Sequence, residues 1–127
     1  VVQLLLDKGA TVNTQVGHYG NALQAAAAQA NEVVVRMLFE KGADINSQGG
    51  HYGNALQAAA SQGNAEVVKL LLERGAEVNA QGGYYGNALQ AAAHRENDVV
   101  ARLLLEKGAD VNAQGGYYGN ALQAAAS

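Results

Sequence analysis

The stretch Tyr85-Gly86-Asn87-Ala88-Leu89-Gln90-Ala91-Ala92-Ala93 recurs letter for letter from Tyr19, Tyr52 and Tyr118, at a step of 33 residues with no insertion or deletion. A fixed internal period of this size marks a stack of supersecondary units, each burying its apolar face against the next. A second block keeps the same step: Val2-Gln-Leu-Leu-Leu-Asp-Lys-Gly9, Val35-Arg-Met-Leu-Phe-Glu-Lys-Gly42, Val68-Lys-Leu-Leu-Leu-Glu-Arg-Gly75 and Ala101-Arg-Leu-Leu-Leu-Glu-Lys-Gly108. Repetition in register is therefore the organising fact of the chain.

The unit from Ala76 to Gly108 reads without gaps. Upstream of the quoted stretch, Gly82-Gly83 supplies the positive φ angles of a tight hairpin. Asn87 then stands before an alanine-rich run of strong helix formers, where its side chain accepts from a free N–H of the first turn. This predicts a first helix of about two turns. A second helix is predicted to start at Asn97-Asp98, to run through Val99-Val-Ala-Arg-Leu-Leu-Leu-Glu-Lys107, and to be closed by Gly108 in a left-handed cap. The acidic Glu32, Glu66 and Asp98 near its start, and Lys41, Arg74 and Lys107 in its last turn, match the helix dipole at both ends. In the middle copy Glu66, Lys69 and Glu73 form one polar stripe, leaving Val67, Val68, Leu70, Leu71 and Leu72 for burial. The expected architecture is an all-α repeat solenoid of hairpin-helix-turn-helix units. Residues 1–9 would be a partial repeat (second helix only), 10–42, 43–75 and 76–108 full repeats, and 109–127 a partial repeat (hairpin and first helix). A chain opening inside one repeat and closing inside another reads as a fragment of a longer protein. Slim alanine on the first helix and bulky Leu, Val, Met37 and Phe39 on the second make each unit a wedge, with the first-helix side and the hairpins concave.

Composition narrows the function. At 49% hydrophobic and 15% charged the chain has apolar material for a core. A net charge of −3 without a Lys/Arg cluster offers no footprint for nucleic acid. No apolar run approaches the roughly 18 residues of a membrane span, and no basic stretch leads into a signal-peptide core. The absence of cysteine removes disulfides and thiolate metal sites and points to an intracellular, cytoplasmic setting. Ser47, Ser61 and Ser127 each stand where other copies carry a different residue, and no nucleophile-base-orienter trio is implied. The paired glycines are not followed by the Gly-Lys-Ser/Thr of a phosphate loop. No enzyme activity, cofactor or small-molecule substrate is expected.

The unit resembles the ankyrin repeat. The period, the hairpin with two helices, and Glu66-Val-Val-Lys-Leu-Leu-Leu-Glu-Arg-Gly-Ala-Glu-Val-Asn-Ala80 follow that family's pattern along the whole chain. The departure lies at Asn21-Ala-Leu-Gln24, Asn54-Ala-Leu-Gln57, Asn87-Ala-Leu-Gln90 and Asn120-Ala-Leu-Gln123, where the family usually shows Thr-Pro-Leu-His. Asn can cap in place of Thr, and Gln keeps a donor and an acceptor where His had them. Whether the pair reproduces the family's Thr–His hydrogen bond is left open by the sequence. The variant motif is similar to arrays in large fungal ankyrin proteins, some linked to NACHT-type nucleotide-binding switches. The resemblance implies a protein-interaction module that binds a protein partner through hairpin tips and the concave first-helix face. The alternative is a structural spacer, or a sensor array attached to a signalling NTPase or other enzyme domain outside these residues.

Differences between copies indicate where a partner would be read. One hairpin position holds His18, His51, Tyr84 and Tyr117; after the first helix stand Ala28-Gln29-Ala30, Ser61-Gln62-Gly63 and His94-Arg95-Glu96. The candidate contacts are His18, His51, Tyr84, Tyr117, Gln29, Gln62, His94 and Arg95, because rings with few rotors grip at low entropic cost. The bland reading is solvent-facing filler that drifted between duplicated copies. Tyr19, Tyr52, Tyr85 and Tyr118, which do not vary, are expected to pack each hairpin against the next repeat. Metal binding is not expected: at about 8–10 Å between stacked elements, His18 and His51 would be too far apart for nitrogens that must each lie about 2 Å from one ion.

Overall fold

The computed structural model describes residues 1–127 as eight helices with no regular strand. They are α1 (Val2–Asp7), α2 (Ala22–Ala28), α3 (Glu32–Glu40), α4 (Ala55–Gln62), α5 (Ala65–Glu73), α6 (Ala88–His94), α7 (Asp98–Glu106) and α8 (Ala121–Ala126). None is long and apolar enough to cross a membrane.

Local chemistry sets the helix ends. The side chains of Asn21, Asn54, Asn87 and Asn120 accept the N–H of the glutamine three residues on, at 2.8–2.9 Å. Asn31, Asn64 and Asn97 do the same for the second helices. Each donor so satisfied would otherwise be orphaned at the helix start. At the other end of α5, Gly75 N–H bonds to Leu72 O at 3.2 Å and Ala76 N–H to Leu71 O at 3.0 Å, a Schellman closure. Lys41, Arg74 and Lys107, expected inside the last turn, instead occupy the cap position just beyond it. The glycine that follows turns left-handed and ends the helix one residue earlier than the charge pattern suggests. The first helices close in the same manner at Ala30, Gly63 and Glu96, with φ of +57°, +70° and +53°. Two of the three copies thus hold a left-handed angle that costs a residue with a Cβ about 1–2 kcal/mol.

The core follows the wedge. Alanines 58, 59, 60, 91 and 92 are fully buried, and α2, α4, α6 and α8 pack on one another in sequence. The second helices, which bury Val35, Leu38, Val68, Leu71, Val100 and Leu104, pack on their own first helices and touch each other less. Alanine allows close approach and leucine imposes distance, so the array narrows toward the first-helix side.

Each hairpin is closed by one antiparallel bridge: Val16–Gly20, Gly49–Gly53, Gly82–Gly86 and Gly115–Gly119. Successive hairpins then bond to one another. His51 N–H donates to His18 O at 2.7 Å, Tyr84 N–H to His51 O at 2.8 Å, and Tyr117 N–H to Tyr84 O at 2.8 Å. Below them Asn46 ties two units together, donating to Gly75 O at 3.2 Å and accepting from Glu77 N–H at 2.9 Å. Asn13 and Asn79 repeat this clamp one unit before and one unit after.

Candidate functional site

The backbone bonds between hairpins bring one ring from each unit into a single column. His18 stacks on His51 at 4.8 Å with 17° between planes, His51 on Tyr84 at 5.1 Å and 21°, and Tyr84 on Tyr117 at 5.0 Å and 14°. This is the spacing of hydrogen-bonded strands, about half that of packed helices. The expectation that His18 and His51 lie too far apart is therefore corrected: the tips are joined backbone to backbone, and the rings lie face to face. Their in-plane nitrogen lone pairs run side by side and do not aim at one point. Because the faces between successive rings are covered, the column offers rims, hydroxyls, ring nitrogens and its two end faces to its surroundings. His18 is exposed, His51 and Tyr84 are half-buried between neighbours, and Tyr117 is 71% exposed.

Beneath lies the unvarying tyrosine row. Tyr19 stacks on Tyr52 at 6.3 Å and Tyr85 on Tyr118 at 6.5 Å, while each tip ring meets the tyrosine of its own hairpin edge-on at 5.0–5.3 Å. Tyr19 is 38% exposed and Tyr85 only 9%. These tyrosines do pack hairpin to hairpin, as their constancy suggests.

The third row is the end of each first helix. Gln29, Gln62 and Arg95 are exposed. The amide of Gln29 donates to the Tyr19 hydroxyl at 3.4 Å, joining this row to the tyrosines. His94 behaves differently from the other candidates. It is half-buried, stacked on Tyr118 at 4.6 Å and tilted against Tyr85 at 5.8 Å, with Nε2 at 3.3 Å from the Tyr118 hydroxyl and Nδ1 at 3.4 Å from Ser127 Oγ. At the same register Ala28 and Ser61 are buried. The position faces the tyrosine row, whereas the next residue faces outward.

Two phenols and one imidazole of the surface are shifted toward their neutral forms. Desolvation between its neighbours, then Tyr118 and the other adjacent phenols, raise Tyr84 above the ordinary value of 10.0. Burial likewise raises Tyr85, against an opposing pull from the Arg95 guanidinium. Burial, then the charge of His18, lower His51 below its ordinary 6.5. Such a surface can recognise another chain by ring rims, phenol and imidazole hydrogen bonds, exposed amides and one guanidinium.

Two contributors escape a reading of the sequence alone. The hairpin-to-hairpin bonds leave no mark beyond the glycines beside them. Gln24 does more than cap: its Oε1 accepts from Asn21 N–H at 2.8 Å, and its Nε2 faces the carbonyls of Ser47, Gly49 and Gly53 in the next hairpin at 3.1–3.3 Å. In the first unit the Asn–Gln pair is thus reciprocally bonded, whereas the buried amides of Gln57 and Gln90 have no partner in the chain. The recurrence of this glutamine in every copy was the available signal.

Comparison with family models matches residues 56–127 to ankyrin repeats in three copies, and residues 23–72 to ankyrin repeats in many copies. No curated protein matches the chain.

Proposed function

Because the chain belongs to the ankyrin repeat family, we propose that its aromatic tip column and the adjoining Gln29, Gln62 and Arg95 hold a protein partner. Ankyrin repeats are generally protein-interaction modules, but a fold alone does not assign a site. The observation that carries this reading is the coincidence of exposure and difference. The repeated residues are spent on caps, core and hairpin closure, while His18, His51, Tyr84 and Tyr117 form one accessible column. Rigid amphipathic rings already ordered by their neighbours lose little entropy on binding.

The test is capture of partners from cell extract by the chain carrying Tyr84→Ala and Tyr117→Ala, with helical content checked by circular dichroism. Truncating two ring anchors is expected to weaken capture by at least about tenfold, in line with a loss above about 1 kcal/mol per anchor. Unchanged capture by a folded double variant would remove the tip column from the reading. Near-identity of the copies favours a second reading, a spacer or sensor array serving a signalling domain outside these residues. Enrichment of no partner at all, with or without the substitutions, would favour that one.

A further inference from the structure

Half of the tip column consists of imidazoles and half of phenols. His18 and His51 stack at 4.8 Å and Tyr84 and Tyr117 at 5.0 Å, over equivalent backbone bonds of 2.7 and 2.8 Å. Neutral imidazoles can share this spacing, whereas two imidazolium cations at the same distance repel. No anionic group nearby offsets that repulsion. His51 is faced by His18 on the preceding hairpin, Tyr52 on its own, and Tyr84 and Tyr85 on the next. His18 in turn faces Tyr19 and Tyr52. Neither histidine has a carboxylate within ion-pairing distance.

We propose that the tip column is graded by pH: protonation of the His18–His51 stack parts the first two hairpin tips, while the Tyr84–Tyr117 pair stays closed. The sign follows from proton counting. With His51 held below 6.5 by burial and by His18, the folded tip binds fewer protons than the unfolded chain just below that pH. Closure is fully stable above about 6.5 and weakens as the pH falls toward the folded value. The consequence for partner capture, a grip shortened to its tyrosine half in acid, rests on the binding reading above. The parting of the tips does not.

The experiment uses the chain alone. Amide exchange of His51 and Tyr117, each normalised to its intrinsic rate, is followed by NMR from pH 7.5 to 5 together with the imidazole titrations. Protection of His51 is expected to fall relative to that of Tyr117 as the pH drops below about 6.5. In the double variant His18→Tyr, His51→Tyr, which copies the other half of the column, the ratio should stay constant. His18→Gln should raise the titration midpoint of His51. A ratio that does not move with pH, or that moves equally in the double variant, would overturn the proposal. So would a His51 midpoint indifferent to His18→Gln. No partner enters these measurements, so their failure leaves the binding reading standing, and unchanged capture by the tyrosine variants leaves the pH grading standing.

Discussion

At Gly83, as at Gly50 and Gly116, two constraints coincide. Its φ is +66°, and a Cβ there would come within 2.5 Å of the Tyr52 carbonyl carbon on the preceding hairpin. Gly75, at φ +94°, faces open space. Alanine at position 75 meets only left-handed strain, about 1–2 kcal/mol. Alanine at position 83 adds a clash with backbone that cannot swing aside, and is expected to cost about 1–3 kcal/mol more. Urea unfolding of Gly75→Ala and Gly83→Ala measures the difference, and coincident transitions would mean that the hairpin contact contributes nothing. In the sequence both glycines read simply as turn formers. Only the approach of a second hairpin separates them. The same holds for His94 and Arg95, adjacent in the chain, of which one packs among tyrosines and the other remains exposed.

Helix boundaries lay closer to the surface of the sequence. An asparagine cap and the N–H that it accepts are three residues apart, so the signal and the structure occupy the same short window. The clamps between units have partners 29 to 31 residues away, and in the sequence Asn13, Asn46 and Asn79 show only as part of the repeated pattern. Asn46→Ala removes one donated and one accepted bond between units. It is expected to lower unfolding stability by about 1–2 kcal/mol with helical content unchanged, since each exposed bond contributes roughly 0.5–1.5 kcal/mol. Asn112→Ala, at a position whose side chain makes no hydrogen bond, provides the control and should stay within about 0.5 kcal/mol of the parent. Equal losses in the two variants would show that the clamp has no stabilising role.

Over the molecule, burial is concentrated in the middle. α1 contains no buried residue, Leu4 and Leu5 are exposed, and Leu122 on α8 is 80% exposed, whereas α4 and α6 bury most of their residues. Stability in such an array accumulates from neighbour to neighbour. Hydrogen exchange of the 127-residue chain should therefore be faster in α1 and α8 than from residue 54 to 108, and uniform protection would contradict this picture. The sequence by itself determined the period, the helices, their caps and the apolar residues they bury, because each depends on chemistry within a few residues. It also showed which positions differ between copies. Only the tertiary structure decided that the hairpins approach to strand distance, that four unlike rings become one column, and that His94 turns inward. Those outcomes depend on backbone groups one repeat apart coming within hydrogen-bonding reach, and the contacts between stacked units determine that distance.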